Sequence, residues 1–423
     1  MFYLFFLIYN LIWILAIIIF IFYYIMKGKT KILSDRLNLT KIENKRSIWL
    51  HASSVGEVKI AAVIIREIRR KTMEPIILTV VTEMGYAMAE TIEAEHFCCR
   101  YVPFDFLPIV LNFITKHSIR QTVFIETEIW PSFIIANSWN NMRQFIVNAR
   151  LSDRSFPKYK FFKFYFKPLL VKLNLVLAQS KEDKERFTAL GLQKEKAIFV
   201  RNIKYDILDI VNDVTHEKDD LFYNRPVFTA GSLRAGEEAL LIDAMIYLNS
   251  KFDNFLGVIA PRHLKNIEKI ESLLHENNLD YVCYSDLKKF GEGSKYLKRN
   301  QKFIGANIIV LDVMGALIDV YKNSDLVFVG GSLVKKGGQN IIEPASLGKL
   351  VLFGPYMENF REVSARFLSS GGAIQVENVA VLKKQAEKYL IDKNERSQFV
   401  HRVLKCLKDA KGGAKESVEY LLT

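Results

Sequence analysis

Short apolar runs alternate with stretches of helical periodicity along most of this chain. "SIWLHA" (47–52) precedes the amphipathic "EVKIAAVIIREIRRK", and "PIILTVVT" precedes "GYAMAETIEA". "QTVFIETEIWP" runs into a helix that can begin at Pro131, where a missing N–H costs nothing. "QFIVNARLS" and "LVLAQS" read as further strands, "KEDKERFTALG" as a helix stopped by glycine, and "AIFVRNIKYD" closes the first half. After a polar stretch, "VNDVTHEKDDLFYNRP", the alternation restarts with "PVFTAGS", "GEEALLIDAMIYL", "FLGVIAP", "LKNIEKIESLLHEN" and "YVCYS". "NIIVLDV", "LVFVGGS" and "LVLFGP" are its last strands. Fully apolar strands alternating with helices predict parallel sheets covered on both faces. The expected architecture is α/β, with two Rossmann-like domains facing a cleft. Its expected parts are 27–210, a linker at 211–225, and 226–423.

One segment breaks the alternation. Residues 1–26, "MFYLFFLIYNLIWILAIIIFIFYYIM", hold no charged side chain and are long enough to cross about 30 Å of hydrocarbon. They lack the basic start and small-residue cleavage site of a secretory signal. Lys27, Lys29, Lys31 and Arg36 follow directly. An uncleaved single-pass transmembrane anchor is expected, with the bulk of the chain left in the cytoplasm by the positive-inside rule.

Composition adds an anionic partner. The 423 residues are 50% apolar and 25% charged, which excludes a disordered chain, and the net charge is +13. The basic residues are scattered through the α/β units, and the chain carries no RNA-binding motif, so nucleic acid is not expected. The segment 156–174, "FPKYKFFKFYFKPLLVKLN", interleaves lysines with aromatics and suits a membrane-docking or lipid-acceptor surface. The helix "EVKIAAVIIREIRRK" is expected to pack on the sheet instead. Four cysteines at 98, 99, 283 and 406 have no zinc spacing, and reduced thiols are expected.

Ligands of open α/β sheets bind where strands run into helices, and the unusual residues fall there. Glu57 opens a helix beside small residues at 52–54. Helix-start chemistry alone explains an acid at that position, but a cleft-facing carboxylate with room beside it can also serve as a general base. Glu126 and Glu128 end an apolar strand, where two acids are expensive unless paired, for instance with Arg150, or functional. Lys204 ends the first half, where it can reach an anionic leaving group. In the second half, "TAGSLRAGEE" (229–238) offers backbone N–H groups for an anion, and Arg262 with His263 ends a strand. "DVMGAL" (312–317) is a short turn, and "VGGSLVKKGGQNIIEPASLGKLVLFGP" pairs glycines with Asn340 and Glu343. The chain has no D-x-D triplet, no Walker loop and no G-x-G-x-x-G, so neither a metal site nor a cofactor is expected.

Taken together, "HASSVGE", "ETEIWP", "NARLSDRS", "AQSKED", "NIKYD", "GSLRAGEE", "PRH", "VMGAL" and "GGSLVKKGGQNIIEP" resemble the Kdo (3-deoxy-D-manno-octulosonic acid) transferases of lipopolysaccharide assembly, glycosyltransferases of GT-B fold. The resemblance implies transfer of Kdo from CMP-Kdo to a lipid A precursor at the inner membrane, next to its anionic leaflet. It implies Glu57 as proton acceptor and Glu126 and Lys204 as transition-state stabilisers. It places CMP contacts at Pro261, Arg262, Met314, Gly315, Ala316, Asn340, Ile341, Ile342 and Glu343. Gln339, Ala316 and Arg201 depart from the family's usual residues. Another membrane-associated GT-B transferase using a different nucleotide sugar is the alternative.

Overall fold

Fourteen strands form two parallel sheets in a computed structural model that describes residues 1–39, 46–210, 222, 225–289 and 306–423. The expected linker at 211–225 lies outside the described residues except at 222 and 225. The chain divides into one unit of Met1–Ile207 with Ala410–Thr423, and a second of Leu208–Asp409.

The first sheet comprises β1 (Ser47–Ala52), β2 (Ile76–Val80), β3 (Phe97–Tyr101), β4 (Ile119–Ile125), β5 (Arg143–Ala149), β6 (Leu175–Ala178) and β7 (Ala197–Phe199), in the order β3-β2-β1-β4-β5-β6-β7. All neighbours are parallel. Strand β1 shows why the apolar run reads as it does. Ile48, Leu50 and Ala52 enter the core on one face and Trp49 the core on the other, and all four are fully buried. The chain winds outward in opposite directions from β1 and β4, so the switch point lies between them.

The second sheet comprises β8 (Val227–Leu233), β9 (Leu256–Pro261), β10 (Tyr281–Cys283), β11 (Ile308–Val310), β12 (Leu326–Val329), β13 (Leu350–Phe353) and β14 (Ala373–Gln375), in the order β10-β11-β9-β8-β12-β13-β14. Its switch point lies between β8 and β12. Strands β3 and β14 were not among the expected ones. Each is an outer strand of its sheet, and β3 is mostly half-buried and carries Arg100, so the apolar signal is diluted there.

One expectation changes. The last residues were placed with 226–423, yet 410–423 pack with the first unit. Ala414, Val418 and Leu421 of the helix Gly413–Leu422 join the core around Ile64 and Leu50, and Asp206 accepts from the N–H groups of Gly412 and Ala414, both at 2.6 Å. The apolar segment forms one helix, Phe2–Met26, long and apolar enough to cross a membrane. The helix Val55–Arg69 packs on the sheet, as expected, with nine of its residues buried. The four cysteines are free thiols, each half-buried.

Candidate active site

The turn after β1 is built by a serine and an acid. Ser54 is the N-cap of the helix Val55–Arg69, its hydroxyl oxygen accepting from Glu57 N–H at 3.3 Å. Ser and Glu three residues apart form a capping box, in which the acid reaches back over the helix mouth. Here Glu57 accepts from the Ser53 N–H at 2.7 Å through Oε2 and from the Ser54 hydroxyl at 2.8 Å through Oε1. Helix-start chemistry therefore accounts for its place. It does not account for its proton affinity. Burial, with the negative charges of Glu128 and Glu126 behind it, pushes Glu57 up to about 7 against the pull of its two donors.

Those acids come from the neighbouring strand across the switch point. Glu126 follows β4 with φ +61°, a left-handed backbone that non-glycine residues adopt at a cost of about 1–3 kcal/mol. Its N–H bonds Val147 O on β5 at 2.9 Å, and its Oε1 lies 2.8 Å from Lys204 Nζ. Lys204 is brought there by two asparagines. Asn148 Oδ1 accepts from Ile203 N–H and Asn202 Oδ1 from Lys204 N–H, both at 3.0 Å. Glu126 and Lys204 thus meet as an ion pair, each about one-fifth exposed.

Glu128 turns the other way. It accepts from Trp130 Nε1 and lies 3.5 Å from Nε2 of the fully buried His51, whose Nδ1 meets Thr79 Oγ1 at 3.0 Å. Burial opposes ionisation of Glu128, but the His51 imidazole together with the Ser53 and Trp130 donors outweighs it and holds the carboxyl below its ordinary value. The expected pairing of an acid with Arg150 is not what forms. Glu126 takes Lys204 and Glu128 takes His51, while the Arg150 carbonyl accepts from the Thr127 hydroxyl. His51 was missed as a site residue. It stands inside the quoted "HASSVGE", but its partner Thr79 is brought beside it only by the pairing of β1 with β2.

The second unit's residues gather at the C-terminal ends of β11, β9, β8 and β12. The loop "GSLRAGEE" does not offer all its amides to a ligand. Buried Glu237 takes the N–H groups of Arg234 and Ser332 at 3.0 Å, Gly331 at 2.5 Å and Leu333 at 2.9 Å, and so ties the loop after β8 to the loop after β12. A Cβ on Gly330 would sit 2.7 Å from Leu233 Cα, so only glycine lets these loops close. Glu238 takes Gly236 N–H at 2.8 Å and Asn266 Nδ2 at 3.3 Å. The chain's own carboxylates thus take the Arg234 and Gly236 amides, which the sequence reading offered to an anion.

The positive charge at the site comes from side chains. Arg234 donates to His263 Nε2 at 2.8 Å, and Arg262 N–H bonds Leu233 O at 2.9 Å. Desolvation and then the charges of Arg234, Arg262 and Lys265 hold His263 below its ordinary value. Pro261 ends β9; Met314 is exposed, Gly315 has φ +89°, and Ala316 is buried as the N-cap of the helix Leu317–Asn323. Asn340 Oδ1 accepts from Ile342 N–H at 3.0 Å, and the side chains of Ile341 and Ile342 are buried, which leaves only their backbone to a ligand. Glu343 opens the helix Ile342–Ser346 close to Tyr321. Among the described residues no cluster of His, Cys, Asp and Glu suits a metal ion.

Comparison with known proteins bears on family and fold. The sequence model of the family described as 3-deoxy-D-manno-octulosonic-acid transferase (kdotransferase) matches residues 31–207. A bifunctional glycosyltransferase/methyltransferase of Fusobacterium nucleatum is 36% identical over 88% of this chain, which spans 58% of that relative's length. The 3-deoxy-D-manno-octulosonic acid transferase of Haemophilus influenzae is 28% identical over 89% of this chain and 86% of its own. A glycosyltransferase structure from Rickettsia africae, 14% identical, superposes with a TM-score of 0.60 over 89% of this chain and 98% of its own, which speaks for the fold alone. With two parallel-sheet Rossmann-like units of GT-B type, a family match over residues 31–207 and relatives aligned over most of its length, the chain is similar to the Kdo transferases, glycosyltransferases of lipopolysaccharide synthesis.

Proposed function

We propose that the protein transfers Kdo from CMP-Kdo to a lipid A precursor, at the cytoplasmic face of the inner membrane, by a metal-independent inverting displacement. The acceptor hydroxyl oxygen attacks the anomeric carbon of Kdo as its proton passes to Glu57. The bond from that carbon to the CMP phosphate oxygen breaks, and CMP leaves as the anion. The observation that carries this reading is Glu57, buried at a strand–helix mouth with its proton affinity pushed up to about 7. A carboxylate of that strength is matched to abstracting a hydroxyl proton near neutral pH. Glu126 offsets positive charge developing on the sugar, and Lys204 faces the departing phosphate or the Kdo carboxylate. On the donor side, Pro261, Arg262, the 314–316 turn and Asn340 to Glu343 hold CMP, with Ile341 and Ile342 acting through their backbone.

The test is a membrane-reconstituted assay with CMP-Kdo and a tetra-acylated lipid A precursor, without divalent metal. Wild type is expected to turn over, and Glu57→Ala to lose about 10²-fold or more while still binding CMP. Binding of CMP without transfer by wild type would move the reading to another nucleotide sugar. A fully active Glu57→Ala would move the base elsewhere.

A further inference from the structure

The helix Phe2–Met26 carries two different stripes. One runs Phe2, Phe6, Tyr9, Trp13, Ile17, Phe20 and Tyr24, at spacings of three and four, and holds most of the segment's aromatic and polar side chains. The other runs Leu4, Leu7, Leu11, Leu15, Ile18, Phe22 and Ile25, wholly apolar and each more than half exposed. Hydropathy alone does not separate them, since the segment is apolar all round.

The first stripe lies along the first unit for nearly the whole helix. Phe2 meets Tyr165 at a tilt and Phe5, beside the stripe, meets Phe164 edge-on, with ring centroids 5.5 and 5.3 Å apart. The Tyr9 hydroxyl donates to buried Asp105 at 2.5 Å, and Asn10 Oδ1 accepts from Leu107 N–H at 2.9 Å. Trp13 and Phe20 flank Phe104 at 5.7 and 5.6 Å, and the Arg36 guanidinium sits over both Tyr24 and Phe104. The same first-unit surface therefore touches residue 2 and residue 24.

A helix crossing a bilayer cannot do this. Tyr9 lies 17 residues before Met26, about 25 Å along the axis, so a crossing anchored at Lys27 would carry it most of the way through a hydrocarbon layer about 30 Å thick. The Tyr9 hydroxyl and Asn10 Oδ1 would then face lipid without their partners, and the buried Asp105 would lose its hydroxyl donor. Each of these polar groups has its match in the docked arrangement.

We propose that Phe2–Met26 does not cross the membrane but lies along the first unit and sinks its apolar stripe into one leaflet. The expected single crossing is thereby replaced by a one-sided attachment. The surface continues past Phe164 into Phe161 and Phe162, 78% and 47% exposed, among Lys158, Lys160, Lys163 and Lys167. Aromatics beside lysines suit the headgroup level of an anionic leaflet, rings toward acyl chains and ammonium groups toward phosphate. The partner is the interfacial layer of one anionic leaflet, reached from one side.

The test uses the full chain in native membranes. Cysteines at Phe5→Cys and Phe164→Cys, treated with a short bis-maleimide, are expected to give the linked peptide by mass spectrometry, at least ten-fold more than Ile18→Cys with Phe164→Cys. Tyr3→Cys, on an exposed side chain, is expected to react with a membrane-impermeant maleimide in inverted vesicles and not in intact spheroplasts. Absence of the 5–164 link, or labelling of Tyr3→Cys from the outside of spheroplasts, overturns the proposal. Neither readout needs sugar transfer, so the attachment and the Kdo reading fail independently.

Discussion

Glu57 is held in a state that favours reaction over folding. Its folded value of about 7 lies above the ordinary 4.5, so between those values the folded protein keeps a proton that the unfolded chain has released. The contribution is fully present below about pH 4.5 and is lost as pH rises through about 7. Glu57→Gln, which keeps an oxygen for the Ser53 N–H, should therefore be more stable than wild type at pH 8 by up to about 3 kcal/mol. At pH 5 the gain should shrink toward zero, and urea unfolding at the two pH values measures both. The same titration should appear in catalysis as a rising limb of kcat/KM near pH 7, read from the wild-type pH–rate profile. The sequence placed Glu57 at a helix mouth, because Ser-x-x-Glu before an apolar run is a local signal. It could not show the burial or the two acids across the switch point. Those depend on β1 pairing with β4, a contact between residues about 70 apart.

At the scale of elements, the interior strands were legible, and two of the four edge strands, β3 and β14, were not. A strand covered on both faces must be apolar throughout, so β1, β4 and β12 announce themselves. Strands β3 and β14 pair on one side only, and β14 is three residues long. Loop function was misjudged for a related reason. The amides around 231–237 look free in sequence, yet four backbone N–H groups converge on Glu237, three of them from more than 90 residues away. Glu237→Ala should orphan them and destabilise the second unit by about 3 kcal/mol or more. Chemical unfolding would report the loss, and calorimetry should find CMP binding weakened with it. Retained stability would mean that the two loops close without this carboxylate.

At the scale of the whole chain, the second unit is an insertion, since 208–409 interrupt a unit that resumes at 410. Nothing in the local pattern of "AKGGAKESVEYLLT" announces this, because an amphipathic helix fits any apolar surface of the right width. Removing 411–423 would uncover the surface met by Ala414, Val418 and Leu421 and strip Asp206 of two donors. Burial of those three side chains contributes roughly 5 kcal/mol. The truncated protein should show protease cleavage within 46–207, while 225–289 and 306–409 stay resistant.

That returning helix also sets an order in time. During synthesis, Phe2–Met26 leaves the ribosome before the strands of the first unit, whereas that unit lacks its closing helix until 208–409 have been made. At about 5–20 residues per second the wait is roughly 10–40 s. Through that interval the core around Ile64 is open on one side, while the apolar helix, which packs with the core on the other face of the sheet, already seeks lipid. The nascent protein therefore meets the membrane before it can finish its own first unit, and a pause within 208–409 should lengthen its exposure to chaperones and proteases.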